Sequence, residues 1–251
     1  MTLLRSIAIY SVTFLWALVF WTASVVPLVI VGCLPVERRR HWVRVILLVF
    51  GKVTVRVFWR PFFKVGYEDR TGGVRRQGIV VANHRSAIDA FLVSMPNLSL
   101  AQTVNGWPLR LPIIGWVARF AGYLNITEWD YETLKTRIAG VLSVGDMVVS
   151  YPEGTRSESK TMNPFRSGIF RVAMDMDLPV YMLCIAGNEH MPDRKFKFRE
   201  FRDLKVRFLG PIPPEEVREC ATAYVLKMKV FRIMNEELAS MDAELENEKS
   251  L

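Results

Sequence analysis

The first third of the chain is dominated by apolar positions. No charged residue occurs between residues 6 and 36, and about 20 apolar residues are enough to cross a bilayer as a helix. A buried core helix is the alternative, but Trp16, Phe20 and Trp21 among many aliphatic residues favour lipid. Pro27 allows either a kinked spanning helix or a hairpin that enters and leaves one leaflet. Residues 35–38 do not resemble a signal-peptide cleavage site, so we expect the segment to be retained.

A second apolar run, residues 43–59, carries cations at Arg44, Lys52 and Arg56. Spacings of eight and four put these cations on one helical face, which is typical of a helix lying in the membrane interface. We therefore predict that residues 1–60 form N-terminal membrane-anchoring helices.

From residue 61 the pattern changes to short apolar runs separated by helix-forming segments. Apolar runs predict strands at 62–67, 79–82, 147–151, 179–185 and 204–209, with a turn at 71–73. Helices are expected at 86–95, 113–120, 131–143 (capped by Asp130) and 167–176. This alternation predicts an α/β domain over 61–251, with a mixed, mostly parallel sheet flanked by helices.

A C-terminal amphipathic helix is expected from about residue 214. Its apolar positions recur at intervals of three and four, which indicates core packing: Val217, Ala221, Tyr224, Met228, Phe231, Met234 and Leu238.

The charge indicates an anionic partner, because the net charge is +8 at pH 7. Nucleic acid is the least favoured anionic partner, since the sequence has no zinc pattern, RNA-recognition signature or arginine-rich arm. Anionic lipid headgroups, a phosphorylated substrate or an acidic carrier protein fit a membrane-anchored chain better. Residues 38–40 and Arg44 follow the apolar segment, whereas Arg5 precedes it, so the positive-inside rule places the bulk of the chain in the cytoplasm. The three cysteines show no metal-binding spacing, and we expect reduced thiols and no metal site.

Residues 83–89 contain a histidine and an aspartate, His84 and Asp89, directly after a predicted strand. A carboxylate bonded to one ring nitrogen leaves the other free to accept a proton, so the pair predicts a general base and its orienting partner. A helix N-terminus that both residues merely cap is the alternative. In α/β sheets ligands gather at the carboxyl ends of strands, where His84 lies.

A second polar segment, residues 151–157, follows another predicted strand. It offers Glu153, Gly154, Thr155 and Arg156, of which the arginine provides planar donors for a phosphate. Arg166 adds a second cation near a predicted helix N-terminus. The alternative is a polar turn with an ordinary surface ion pair.

Segments 83–89, 151–157 and 165–168 together resemble the glycerolipid acyltransferase family that includes lysophosphatidic acid acyltransferases. The resemblance covers roughly residues 78–187. It implies that His84 deprotonates a lipid hydroxyl, that Asp89 orients it, and that the hydroxyl attacks the thioester of acyl-CoA or acyl-carrier protein without an acyl-enzyme. It also implies that Glu153, Gly154, Thr155 and Arg156 hold the acceptor, and that no cofactor or metal is needed. The family's setting suggests the cytoplasmic face of a bacterial inner membrane.

One departure from the family's pattern concerns the acceptor. Glu128 stands where the family usually has an arginine that contacts the acceptor phosphate, and Gly106-Trp107 replaces the usual Lys-Glu pair. Either Arg119 or Arg166 substitutes for the missing cation, or the acceptor is another lysolipid, such as a lysophospholipid or a lyso-ornithine lipid. A non-catalytic lipid-binding homologue and a lipid hydrolase are the rival functions.

Overall fold

The computed structural model describes residues 2–73 and 76–248, excluding the side chain of residue 114. The helices are α1 (Thr2–Ala23), α2 (Val25–Gly32), α3 (Val36–Val53), α4 (Asp89–Leu92), α5 (Ile114–Phe120), α6 (Tyr131–Leu142), α7 (Gly168–Asp175), α8 (Pro214–Glu219) and α9 (Ala223–Asn247). A π-helical turn, Thr54–Phe58, extends α3, and Pro108–Arg110 forms a 3₁₀ turn. The strands are β1 (Val65–Arg70), β2 (Ile79–Ala82), β3 (Leu100–Val104), β4 (Leu124–Asn125), β5 (Met147–Ser150), β6 (Val180–Ala186) and β7 (Leu204–Ile212).

These strands form one seven-stranded sheet in the order β1-β7-β6-β2-β5-β3-β4. The ladder from β6 to β4 is parallel, whereas β7 runs antiparallel to β6 and carries β1 parallel to itself. The predicted mixed, mostly parallel α/β sheet is therefore confirmed.

Three predictions of local structure differ from the structure. Strand β1 begins three residues later than expected, because Phe62 and Phe63 belong to the buried turn before it. The expected helix 86–95 shrinks to the single turn α4. Strands β3 and β4 were not predicted; β4 has only two residues, too few to produce a periodic pattern.

The central strand β2 contributes side chains to both faces of the sheet. Ile79 and Val81 pack into a core layer with α6, α7 and α9. Val80 and Ala82 face the opposite layer, which contains α4 and parts of the N-terminal helices. Because all four residues are buried, the strand is a continuous apolar run without alternation, as expected for a parallel strand covered on both faces.

Residues 2–59 fold back on themselves as an antiparallel hairpin, defined here as α1 to α3 with the π-helical turn and Trp59 that follow. The chain reverses at residues 33–35, and ring contacts join Trp16 to Phe58 and Phe20 to Phe50, with centroid distances of 4.6 and 5.1 Å. As the residue number rises from 16 to 20 in α1, the number of its partner falls from 58 to 50, so the two segments run antiparallel. Pro27 lies inside α2 and the reversal comes after it, so this hairpin is not the one that the sequence analysis placed at Pro27, and the path of residues 6–36 through a bilayer stays a prediction.

One side of the hairpin covers the sheet. Ile9, Val55 and Trp59 are buried in the second core layer, and the Trp59 indole Nε1 donates to Thr13 Oγ1 across the hairpin at 2.9 Å. The division of the chain at residue 60 stays a prediction, and the contacts show that the hairpin shares a core with the domain that follows.

The other side of the hairpin is apolar and exposed. Along α1 the outward residues recur at helical spacing: Leu3, Leu4, Ile7, Phe14, Leu15, Leu18 and Val19. Among the described residues, α1 alone has the length and hydropathy needed to cross a bilayer.

Helix α3 differs from the predicted interfacial helix in the position of its cations. Arg44 is fully buried; its Nε donates to Asp146 Oδ2 at 2.7 Å and its Nη1 donates to the Ala121 carbonyl at 2.8 Å. His41 bonds the other Asp146 oxygen at 2.6 Å, and Lys52 donates to Asn97. Two of the three predicted cations, Arg44 and Lys52, thus bind the α/β domain, whereas Arg56 is exposed.

The C-terminal helix is divided at residues 220–222 and its buried stripe differs from the prediction. Met234 and Leu238 are buried as expected, but Tyr224 and Met228 are exposed. The stripe that packs on the sheet consists of Leu226, Val230, Met234, Leu238, Met241 and Leu245. The break resets the helical phase, which is why a single continuous helix gave the wrong face.

We expect Asp146→Asn to lower the free energy of unfolding by about 3–5 kcal/mol, because it leaves the buried Arg44 guanidinium without its counter-charge. Guanidinium unfolding followed by circular dichroism measures this loss. The matched control is Glu132→Gln, which removes an exposed ion pair with Lys135 and should cost under about 1 kcal/mol. Equal effects of the two variants would contradict the assignment.

Candidate active site

Three neighbouring parallel strands, β6, β2 and β5, bring their carboxyl ends to one edge of the sheet. His84 lies just after β2, Glu153 just after β5 and Asn188 just after β6. Because strand order differs from chain order, segments about a hundred residues apart in sequence meet at this edge. The predicted site residues of the two polar segments are therefore brought together.

His84 and Asp89 are in direct contact at this edge. The distance from His84 Nδ1 to Asp89 Oδ2 is 2.8 Å, the Asp89 side chain is fully buried and the imidazole is partly exposed. With Nδ1–H donating to the carboxylate, Nε2 is left as the acceptor nitrogen. The Tyr151 ring packs against the imidazole at 4.6 Å, and burial raises the pKa of its phenol well above the usual range, so that it stays protonated.

Asp89 is held by more than the histidine. The Ser86 backbone N–H donates to Asp89 Oδ2 at 2.9 Å, and the Asn188 side-chain amide donates to Asp89 Oδ1. These two donors fix the position of the carboxylate that bonds the imidazole. Asn188 was missed in the sequence; its position three residues after a predicted strand was the signal that could have identified it.

The residues around His84 each have a separate anchor. Asn83 is buried and exchanges two hydrogen bonds with the Ile185 backbone of β6, at 2.8 and 2.9 Å. Arg85 is buried and pairs with both oxygens of Asp242 on α9, at 2.8 and 2.7 Å. Helix α9 therefore supports the segment that carries the histidine. Neither Arg85 nor Asp242 was identified from the sequence, since 157 residues separate them.

Glu153 joins the polar segments to one another. It is buried, and its two oxygens accept hydrogen bonds from the backbone N–H groups of His84 and Asn163, both at 2.7 Å. Burial raises the pKa of Glu153 to about 7. The Ser157 N–H also donates to the His84 carbonyl at 2.8 Å. Glu153 thus holds the loops in place, and its direct contact with an acceptor stays a prediction.

Two guanidinium groups lie at the turn that follows Glu153. Gly154 has a φ of +73°, and a Cβ placed there would lie 3.0 Å from the Arg166 guanidinium carbon, so only glycine fits this turn easily. Arg156 Nη1 is buried and has no hydrogen-bond partner in the described part of the chain; its guanidinium packs over the Phe196 ring. Thr155 is exposed beside them. A buried guanidinium nitrogen without a partner among the described residues, in a turn that also contacts Arg166, suits an anionic group.

The structure separates the two candidates for the missing family arginine. Arg166 lies against Gly154, within the site. Arg119 donates to the Leu109 carbonyl at 2.8 Å and lines a cleft of about 250 Å³ together with Arg40, Arg137 and Glu128. Of the two, Arg166 is the cation that lies at the Gly154 turn.

Comparison with known proteins gives matches over the region for which the sequence analysis noted a resemblance, roughly residues 78–187. The family described as "Acyltransferase" matches residues 65–186. A 1-acyl-sn-glycerol-3-phosphate acyltransferase of Limnanthes douglasii is 24% identical over 174 residues, which are 67% of this chain and 60% of the relative. The enzyme of that name from Saccharomyces cerevisiae is 26% identical, over 66% of this chain and 58% of the relative. The chain thus spans about three-fifths of the length of these curated relatives.

The fold has a solved counterpart. The crystal structure of the 1-acyl-sn-glycerophosphate (LPA) acyltransferase PlsC from Thermotoga maritima superposes with a TM-score of 0.76, covering 96% of this chain and 97% of that one, at 20% identity. At that identity the likeness shows a shared fold. The predicted resemblance to the acyltransferase family is thus confirmed by the family model over residues 65–186 and by the curated relatives.

Proposed function

We propose that the protein transfers a fatty acyl group from a thioester, acyl-CoA or acyl-carrier protein, to the free hydroxyl of a lysophosphatidic acid-like acceptor in phospholipid synthesis. The observation that carries this proposal is the 2.8 Å contact between His84 Nδ1 and the buried Asp89 carboxylate. It is supported by Arg156 Nη1, which is buried without a hydrogen-bond partner among the described residues. The names of the curated relatives support the choice of acceptor class.

The reaction follows from the orientation of the imidazole. Nε2 of His84 removes the proton of the acceptor hydroxyl as its oxygen attacks the thioester carbonyl carbon. Asp89 stabilises the imidazolium that forms, because the bond from Nδ1–H strengthens when the ring is charged. Collapse of the tetrahedral intermediate breaks the carbon–sulfur bond, and the imidazolium returns its proton to the departing thiolate. Among the described residues, no serine or cysteine side chain hydrogen-bonds the ring, which is consistent with direct transfer.

Acceptor recognition is assigned to Arg156 and Arg166. Each can form a charge-assisted pair with a phosphate, and Gly154 lets the backbone of the turn approach the same group. This pair takes the place of the arginine that Glu128 replaces. The Glu128 carboxylate lies 3.8 Å from Arg110. Because an acidic residue stands at the family's arginine position, other lysolipids, including a lyso-ornithine lipid, stay candidate acceptors.

The site's surroundings support a membrane setting. The exposed apolar stripe of α1 fits a bilayer, from which a lysolipid acceptor comes, and the cations at 38–40 fit the cytoplasmic face. We extend the proposal to a membrane-associated enzyme whose α/β domain faces the cytoplasm, as at a bacterial inner membrane.

His84→Ala and Asp89→Asn should each lower kcat by about 10²- to 10⁴-fold, because they remove the base or its orienting carboxylate. Transfer of radiolabelled acyl groups to lysophosphatidic acid measures the loss, and circular dichroism checks that both variants fold. His190→Ala, which removes an exposed histidine, is the matched control and should retain activity. Full activity of either site variant would end the general-base assignment.

The same assay separates transfer from the rival functions. A hydrolase would release free fatty acid from acyl-CoA when no lipid acceptor is present. A lipid-binding homologue would bind lysolipid and give no product with either donor.

Arg156→Ala should raise the KM for the acceptor about tenfold or more, because a charge-assisted bond to phosphate is worth about 1.5–3 kcal/mol. The KM for the acyl donor should change little. Arg171→Ala, at an exposed arginine of α7, serves as the control for loss of one positive charge. An unchanged acceptor KM in Arg156→Ala would remove this residue from the phosphate site.

The raised pKa of Glu153 leads us to expect that the free energy of unfolding depends on pH. Its pKa in the folded protein, about 7, lies above the ordinary value of 4.5, so the folded state holds the proton more tightly. Its contribution to the free energy of unfolding is fully present below pH 4.5 and is lost as pH rises through about 7. We expect Glu153→Gln to show a smaller decline between pH 5 and 7.5 in urea unfolding than the parent protein. Parallel pH profiles in the two proteins would contradict this.

A further inference from the structure

Helix α5 presents its apolar side chains to the outside. Small residues, Gly115, Ala118 and Ala121, face the protein, and a Cβ at position 115 would lie only 2.2 Å from the Leu109 carbonyl oxygen. Large residues face outward: Ile113, Trp116 and Phe120 are 72%, 67% and 63% exposed. A helix on the surface of a water-soluble protein has the opposite arrangement.

The apolar surface extends into the turn before α5. Together, these exposed side chains are called the α5 patch: Trp107, Leu111, Ile113, Trp116 and Phe120. Single exposed apolar residues are ordinary, but a contiguous group of large ones, including two tryptophans, marks a surface that is covered in use.

Cations accompany the patch. Arg110 and Arg119 are both exposed and lie within the same segment as the apolar residues. Tryptophan with arginine is the composition that proteins present to the boundary between headgroups and acyl chains, where the cation binds an anionic headgroup. The charge of the patch therefore complements an anionic bilayer.

The patch is attached to the hairpin. Ala121, directly after α5, packs with Val31 and Val43, and the buried Arg44 of α3 donates to its carbonyl at 2.8 Å. Its position relative to the apolar face of the hairpin is thereby fixed. At its other end, the segment starts next to Asn105, whose side chain donates to the Gly154 carbonyl of the anion site at 3.2 Å.

We infer that the α5 patch inserts into the interfacial layer of an anionic bilayer as a second membrane contact beside the hairpin. The inference rests on the proposed membrane association of the hairpin and goes beyond it. A contact at two places fixes the orientation of the domain, and it brings the turn that carries Arg156 close to the surface from which a lysolipid enters.

Spin labels at single cysteines test the inference in the full-length chain. The background is Cys33→Ser, since Cys184 and Cys220 are buried. Ile113→Cys carries the label of the α5 patch, and Leu15→Cys on the hairpin is the membrane reference. Tyr224→Cys, on another helix, replaces a large residue that is 60% exposed and is the water-exposed reference. The proteins are bound to vesicles of phosphatidylcholine and phosphatidylglycerol, and collision rates with oxygen and with a water-soluble nickel chelate are measured by power saturation.

We expect the oxygen-to-nickel ratio at position 113 to be several-fold higher than at 224, approaching that at 15, and to fall when phosphatidylglycerol is omitted. Phe120→Cys repeats the measurement on the same face should Ile113→Cys fold poorly. If the label at position 15 is in lipid and the label at 113 is as exposed to water as that at 224, the inference about the α5 patch is wrong and the proposed membrane association stands. If the labels at 15 and 113 are both in water, the proposed membrane association is wrong as well.

An acidic carrier protein is the competing occupant. If it immobilises label 113 in the absence of vesicles, and that label stays aqueous on vesicles, the patch is a protein-docking surface and the inference is wrong. Acyl transfer to dispersed lysolipid tests the proposed reaction independently of each of these outcomes.

Discussion

The fully buried Asp89 carboxylate is the constraint on which the rest of the site depends. A charge without water must have its oxygens satisfied, and here the donors come from His84, from the Ser86 backbone and from Asn188 at the end of β6. These requirements fix the direction in which the 83–89 turn leaves the sheet. With the carboxylate immobile, the imidazole has one orientation and its second nitrogen one direction.

The two polar segments act as one unit because Glu153 bonds the backbone of both neighbouring loops. Its oxygens hold the N–H groups of His84 and Asn163, so the base and the loop that carries Arg166 cannot move separately. Helix α9 adds support from outside the region matched by the family, through the buried pair of Arg85 and Asp242. The reacting groups therefore depend on contacts that reach nearly the whole domain.

The two sides of the hairpin differ in what they contact. Its inner side completes the core over one face of the sheet with Ile9 and Trp59, and its outer side is left apolar. Arg44 and Asp146 lock α3 to the domain, and Arg44 also holds the end of α5. The apolar surfaces of the hairpin and of the α5 patch are thus connected through Arg44, which sets their positions relative to the site.

The sequence by itself determined the strands at 79–82 and 147–151, the α/β class, and the pairing of His84 with Asp89, because each depends on local order: an apolar run, then polar residues at its end. Only the tertiary structure decided what distant residues do. Arg44 of α3 faces the domain because Asp146, about a hundred residues away, pairs with it. The outward face of α5 is visible only once Gly115 and Ala118 are seen packed inward. Asn188 and Asp242 support the site through contacts that span long separations, and periodicity reports nothing about them.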